Sequence, residues 1–473
     1  MLFNSLVFLV LVLITFIVYY IPGLKKYQVG ILIVSSFVFY AYYKPILLLL
    51  FITSILLNTS SSYIVLKEDS VSKRKKVAAF AIALNLLILA FFKYTPLISH
   101  TFYKELELNG SWREFFFTIP LPIGISFYTF EGISLLIDVL RDKNSLKEKH
   151  NSFWEHLVKT SFFISFFPHL IAGPILKAHD FYPQIKEKYF SDINWEKVIK
   201  HLILGYFLKM VVADNLNEIT VNITYPFFLG YSSLNLLLLL FGYSMQIFAD
   251  FAGYSSIAIG LGFLFGYNLP RNFHFPYISQ SFAEFWTRWH ISLSTWLKEY
   301  LYFPLGGNRK GQWRTYFNLF TVMLLGGFWH GAGWSYALWG FGHGSFLAIE
   351  RLIKDRVKVN NTLLVQILQT GMVFLVVTFL WLLFKLPNFD QVIQFFKALI
   401  DNRSMRFNIS SKELNLVMLS SFVVLYHACY LLFKNNKVSH ATNYNIQWVS
   451  YGVLLFLILV NSGNQNAFIY FQF

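Results

Sequence analysis

Apolar stretches of bilayer-spanning length recur from one end of the chain to the other, at about 2–21, 28–43, 45–66, 77–93, 114–139, 197–219, 225–248, 315–329, 334–350, 362–387, 413–433 and 446–461. A membrane helix needs roughly 17 to 25 such residues, and backbone inside hydrocarbon must satisfy its own hydrogen bonds. The expected fold class is therefore an all-α polytopic membrane protein, with about 10 to 12 membrane helices plus re-entrant or interfacial helices. Composition agrees: 13% of the 473 residues are charged, against about a quarter in a soluble domain. The first run lacks a basic lead and a small-residue cleavage site, so it reads as a retained helix rather than a signal peptide. With no soluble insert, linker or internal repeat, residues 1–473 are expected to form a single integral membrane domain.

A formal net charge of +15 would suit nucleic acid if it were patched on one surface, but here it is dispersed. Lys25 and Lys26, Lys73 to Lys76, Arg141, Lys143, Lys147 and Lys149, Arg351, Lys354, Arg356 and Lys358, and Lys434 and Lys437 all fall in short loops between apolar runs. That is the positive-inside pattern of cytoplasmic loops, so no nucleic-acid partner is expected. Alternation from these loops places both termini outside a bacterial cytoplasmic (inner) membrane. Arg309, Lys310 and Arg314 mark 307–314 as cytoplasmic, which sends 315–329 outward and sets the turn FWHGAGW, with His330, towards the outer face. At 1.5 Å per residue the flanking runs reach only about 25 Å of a hydrocarbon core of roughly 30 Å. His330 is thus expected in a depression, framed by Gly326, Gly327, Gly331 and Gly333. The lone Cys429 permits no intrachain disulfide.

The stretch WTRWHISLSTWLKEYLYFPLGGNRKG, 286–311, fits neither lipid nor solvent. Read as one continuous helix, it puts Trp286, Trp289, Leu293, Trp296, Leu297 and Tyr300 on one stripe and Thr287, Ser294, Thr295 and Lys298 opposite. His290 falls at the margin of the stripe and is expected to point into protein, leaving Arg288 and Lys298 for headgroups, carboxylates or phosphates. An interfacial amphipathic helix with a tryptophan belt explains the pattern equally well. Ionisable residues within membrane depth are costly and usually serve function, which singles out His290, His330 and His343. His330 and His343 are thirteen residues apart, about 220° on a helical wheel, so His330 is favoured for chemistry and His343 for a supporting or packing role. No HxxxH or HExxH spacing points to a metal site, and there is no Walker loop, GxSxG elbow or dinucleotide fingerprint.

FWTRWHISLSTWLKEYLYFPLGGNR (285–309) followed by LGGFWHGAGWSYALWGFGHG (325–344) resembles the membrane-bound O-acyltransferase family, in the branch that O-acetylates extracytoplasmic polysaccharides such as alginate and peptidoglycan. LPIGISFYTFEGISLLIDVLR (121–141), FFPHLIAGPI (166–175) and DFAGYSSIAIGLGFLFGYNLPRNFHFPY (250–277) are similar to further blocks of that branch, so the family-like core is about 121–351. The resemblance implies a catalytic histidine at His330 and a second at His290. It also implies a ring of helices around a thin core with funnels on both faces. Trp289, Trp329, Arg288, Asp250 and His343 are candidates for the surroundings of the two histidines. Ser256 stands where an acid is expected, with Asp250 as the nearest carboxylate, and His169 stands where glutamine is more usual.

The activity that this resemblance implies is acyl transfer from a cytoplasmic thioester, acetyl-CoA as donor substrate with no bound cofactor, to an acceptor hydroxyl arriving from outside. His330 is expected to act as general base, for which an imidazole with an unperturbed pKa near ~6.5 is suited; a transient acyl-histidine is an equally permitted variant. His290 is expected to orient the thioester or stabilise the oxyanion. Arg309, Lys310 and Arg314 are candidate donor-side cations, although the positive-inside pattern accounts for them too. The resemblance also implies an extracytoplasmic partner acetyltransferase of the SGNH-hydrolase type that passes acetyl to a polysaccharide. The abundance of Phe, Asn, Lys and Ile favours peptidoglycan or another wall polymer over alginate. One alternative is a D-alanyl transferase for teichoic acid; another is a transporter of an acyl donor, for which repeat symmetry would be expected and is not seen.

Overall fold

The computed structural model of the chain describes all residues except 103–109, 143–145, 147–151, 172, 355, 357–361, 387, 434–439, 465, 467 and 469–473. Lys143, Lys147, Lys149, Lys358, Lys434 and Lys437 of the basic loops lie outside the described residues. Each apolar run carries helix, and no strand occurs among the described residues. The helices gather into two compact units, residues 1–202 with 257–270 and residues 203–256 with 271–473.

The first unit holds α1 (Leu6–Tyr19), α2 (Gln28–Ala41), α3 (Leu47–Lys67), α4 (Val71–Thr101), α5 (Gly110–Phe117), α6 (Ile125–Arg141), α7 (Phe153–Ser165), α8 (Ala178–Phe181) and most of α9 (Trp195–Tyr206). Helices α3 and α4 are long and apolar enough to cross a membrane. Helices α1 and α2 have 14 residues each, about 21 Å, and meet at a 109° bend. They form a broken or re-entrant pair, not the two separate crossings expected at 2–21 and 28–43, because the chain turns sharply between them at residues 20–21.

Polar side chains tie these helices together where lipid offers no competing partner. Asn58 on α3 and Asn85 on α4 exchange amide hydrogen bonds of 3.2 and 3.0 Å. Ser62 on α3 meets His156 on α7 at 2.7 Å. Glu131 on α6 lies 3.0 Å from His169 and accepts from the backbone N–H of Leu176 at 3.2 Å, which fixes the buried irregular segment after α7. His169 is therefore a partner of Glu131 within this unit.

The second unit contains α10 (Asp214–Thr220), most of α11 (Ser233–Leu264), α12 (Phe282–Arg288), α13 (Ile291–Leu297), α14 (Gln312–His330), α15 (Trp334–Lys354), α16 (Leu363–Lys385), α17 (Phe389–Asp401), α18 (Ser411–Phe433) and α19 (His440–Val460). Helices α11, α16 and α18 join α3 and α4 as the five described helices able to cross by length and apolarity alone, or six crossings if the bent α1–α2 pair counts as one. That is fewer than the ten to twelve expected. The remaining runs are interrupted by bends, as in α1–α2, or diluted by Trp, His and Gly, as in α14 and α15.

Helices α14 and α15 form an antiparallel hairpin joined by residues 331–333. The two backbones come so close that a Cβ on Gly327 would run into the Tyr336 carbonyl, and one on Gly340 into the Met323 carbonyl. Only glycine permits that approach. Both helices extend beyond the apolar runs 315–329 and 334–350, since the first turn of α14 and the last turn of α15 carry polar residues that the hydropathy pattern excludes.

Candidate functional site

The continuous helix expected through 286–300 is broken. Helix α12 stops at Arg288, Trp289 is extended (φ −101°, ψ 131°), and His290 takes a left-handed conformation (φ 42°, ψ 56°) before α13 begins. The burial pattern nevertheless follows the stripe: Trp289, His290, Leu293, Trp296, Leu297 and Tyr300 are buried and Thr287 and Lys298 exposed. A residue with a Cβ enters the left-handed region at a cost, and such strain persists only where the surroundings over-determine it.

Those surroundings come from residues 272–274. The backbone N–H of His274 donates to the Arg288 carbonyl and that of Ile291 to the Asn272 carbonyl, both at 2.9 Å, so the two bonds bracket the break. The Asn272 side chain continues the clamp: Oδ1 accepts from the Ser292 hydroxyl at 2.6 Å, and Nδ2 donates to the Ser255 hydroxyl at 3.0 Å. Asn272→Ala would remove both of these buried hydrogen bonds, at about 1–3 kcal/mol. We expect a clearly lowered unfolding midpoint for the detergent-extracted protein, followed by intrinsic fluorescence; a midpoint equal to wild type would remove Asn272 from the clamp.

The break makes α12 and α13 a re-entrant pair. Glu350, near the end of α15, caps the start of α12 by accepting from the Phe282 and Ala283 backbone N–H groups. After α13 and a π-helical turn, Lys298–Tyr302, the chain returns to the same end of the hairpin, where Asn318 donates to the Gly307 carbonyl at 2.8 Å. From that anchor His330 is twelve residues up α14, about 18 Å, and the segment from His290 down to Tyr302 covers a comparable rise. The two histidines consequently meet: their ring centroids are 6.1 Å apart.

Aromatic side chains enclose the pair. Phe251 of α11 stands edge-on to His290 at 4.6 Å, and Trp329 lies 5.9 Å from His290 and 5.0 Å from His330. Trp339 and Phe384 each contact His330 at 5.1 Å. Trp339 also contacts His343 at 4.6 Å, so the hairpin brings onto one indole two histidines that a single continuous helix would separate. His343 is wholly buried, with Trp286 at 5.1 Å and Phe285 stacked at 6.1 Å. His330 is no longer in a loop, as the sequence suggested, but is the last residue of α14, 5% exposed.

Other expected site residues are placed elsewhere. Arg288, read from the sequence as available for an anion, instead pairs with Glu284 at 2.8 Å and donates to the His274 carbonyl at 3.0 Å. Burial, then the charges of Arg271 and Arg288, hold the His274 imidazole below its ordinary pKa, and its Nδ1 faces Arg288 Nη1 at 3.5 Å. Asp250 is 2.7 Å from Lys209. Trp289 turns away to Phe273 and Trp381, at 5.0 and 4.9 Å. Arg309, Lys310 and Arg314 are exposed; Arg314 is sixteen residues before His330 on α14, about 24 Å away, so the structure does not bring these cations to the histidines.

Sequence reasoning missed Asn272, Phe251, Trp339, Trp381 and Phe384. Trp339 had a signal, since it precedes His343 by four residues on one helix face. The others come from distant elements and left none. Among the described residues, no group of three or more His, Cys, Asp or Glu side chains converges as a metal site. Two imidazoles meeting in an aromatic cage, one on strained backbone and one at a helix end, can move a proton at a bound group.

Comparison with known proteins identifies a family for the chain. Residues 23–389 match the family described as membrane-bound O-acyltransferase. The chain is 36% identical over 412 residues to "Probable alginate O-acetylase AlgI" of Pseudomonas aeruginosa, covering 84% of this chain and 75% of that protein. It is 34% identical over 351 residues to a peptidoglycan O-acetyltransferase of Helicobacter pylori, covering 70% and 65%. It is 32% identical over 233 residues to a teichoic acid D-alanyltransferase of Bacillus subtilis, covering 47% and 56%.

Proposed function

The chain belongs to the membrane-bound O-acyltransferase family, and from that premise we propose that it moves an acetyl group from a cytoplasmic thioester, acetyl-CoA, to the outer side for O-acetylation of an extracytoplasmic polysaccharide. As an O-acyltransferase it is an enzyme and not a carrier of its donor. The observation that carries the proposal is the meeting of His290 and His330 at 6.1 Å, deep in a protein whose relatives include O-acetylases of two different polysaccharides.

In the proposed step the acceptor hydroxyl lies against His330. His330 takes the hydroxyl proton as the oxygen attacks the thioester carbonyl. The C–S bond then breaks, and the thiolate leaves with the proton returned from the imidazolium. General base catalysis of this kind contributes about 10²–10⁴-fold. His290, held by the Asn272 clamp, orients the carbonyl and supports the oxyanion, the preorganised role that enzymes fill with fixed donors. His343, packed among Phe285, Trp286 and Trp339, is a packing residue. The polymer end of the reaction falls to an extracytoplasmic SGNH-type partner, in a bacterial inner membrane with both termini outside.

The D-alanyl reading has the teichoic acid relative in its favour, over about half of the chain. The two readings separate by donor. Membranes carrying the protein and its partner are incubated with labelled acetyl-CoA, or with a labelled D-alanyl carrier protein. Base-labile label from acetyl-CoA alone is the expected result; label from the D-alanyl carrier alone would replace acetyl transfer with D-alanyl transfer.

A further inference from the structure

The histidine pair explains neither Lys209 nor the chain end that reaches it. Lys209 lies in a π-helical segment, Phe207–Ala213, of the second unit. Its ammonium is 2.8 Å from Asp214 and 2.7 Å from Asp250, with all three side chains at most 5% exposed. A buried ion cluster contributes uncertain stability, because desolvation opposes the attraction, and π-helical segments recur at functional sites. Both facts ask what the cluster holds in place.

It holds two things at one point. The first is the middle of α11, where Asp250 immediately precedes Phe251, the residue edge-on to His290 at 4.6 Å. The second is the segment after α19. Lys209 Nζ donates to the Asn466 carbonyl at 3.2 Å, the Gly463 backbone N–H donates to Met210 at 2.9 Å, and Asn215 donates to the Asn461 carbonyl at 2.9 Å. Phe468, wholly buried, lies against Tyr254 at 4.6 Å and Phe251 at 5.7 Å. The contacts run from Lys209 through Asp250 and Phe468 to Phe251, and from Phe251 to His290.

We propose that Lys209 is a positioning residue for His290, fixing Phe251 against the imidazole by clamping Asp250 to Asn466, near the Phe468 ring that packs on Phe251. The inference rests on the acyl-transfer reading for its kinetic consequence only. It predicts that loosening the clamp slows the chemical step without weakening donor binding, because the cluster acts on His290 through the Phe251 ring.

The test uses full-length Lys209→Met, Asp250→Asn and Phe468→Ala in membranes at matched amounts. Each variant should lower kcat for acetyl transfer by about ten- to hundred-fold, as misplacement of a reacting group does, with KM for acetyl-CoA unchanged. If Lys209→Met does not accumulate, the other two variants carry the test. A second readout needs no turnover: modification of His290 by diethyl pyrocarbonate, read by mass spectrometry, should rise several-fold while His343 keeps the wild-type rate. Wild-type kcat in Asp250→Asn and Phe468→Ala, wild-type protection of His290, or equal rises at His290 and His343 would overturn the proposal. If wild-type protein transfers no acetyl, the acetyl-transfer reading fails, and the contrast between His290 and His343 alone decides the positioning role.

Discussion

Replacing His330 with alanine is expected to abolish acetyl transfer. A missing general base costs about 10²–10⁴-fold, which brings turnover to background in a membrane assay. Folding should survive. His330 is the last residue of α14, and the hairpin below it is held by backbone contact at Gly327 and Gly340, which the substitution does not touch. The lost ring would leave a gap beside Trp329, Trp339 and Phe384, so a moderate loss of thermal stability is expected alongside normal membrane insertion. Turnover above a tenth of wild type would take the proton-transfer role away from His330.

The second large effect belongs to His290, and the choice of replacement matters. Its left-handed backbone would strain an alanine, so alanine mixes loss of the ring with damage to the break. Asparagine enters this region more readily than most residues, and it removes the imidazole while preserving the turn. His290→Asn is expected to lower transfer by about 10²-fold, the scale of losing one preorganised oxyanion donor, with an unfolding midpoint close to wild type. His290→Ala should lose activity and stability together. His343→Ala should cost less activity than either, since its ring serves packing. Equal losses of activity at His343 and His290 would mean that the cage, and not the facing pair, controls the reaction.

How much of this could be read from residues alone follows from what periodicity measures. Apolar runs located the helices, and the stripe from Trp289 to Tyr300 anticipated which side chains are buried, because both depend only on local spacing. The wheel assumed continuity, though, and nothing in the string WTRWHIS announces that a histidine will adopt the left-handed conformation that glycine usually takes. The clamp that enforces it is Asn272, eighteen residues earlier, and its bonds to Ser292 and Ser255 exist only in three dimensions. Arg288 looked available for an anion because its partner Glu284, one helical turn away, was not weighed against it. Asp250 stood as the nearest carboxylate to Ser256, where an acid is expected, but the partner that engages it, Lys209, comes from a different run of the chain. Phe384 and Trp381 reach the cage from α16, beyond the family-like core, where the sequence offered hydropathy alone.

The re-entrant α12–α13 pair also accounts for the depth of the histidines. A crossing helix would carry His290 through the membrane to an end. A broken helix whose two feet stand at Glu350 and Asn318 lifts it partway and stops. Irregular backbone at that depth is tolerated where protein surrounds it, and the aromatic cage supplies the surroundings. The same construction leaves a strained residue facing His330, so the backbone break and the proposed chemistry occupy one place.

The most direct test of the central claim measures transfer of radiolabelled acetyl from acetyl-CoA to cell-envelope polysaccharide by membranes carrying wild-type protein or His330→Ala at matched expression, with the extracytoplasmic partner present. Base-labile label with wild type and background label with His330→Ala is the predicted result. Equal label with both proteins would contradict a catalytic role for His330, and label with neither would contradict acetyl-CoA as the donor.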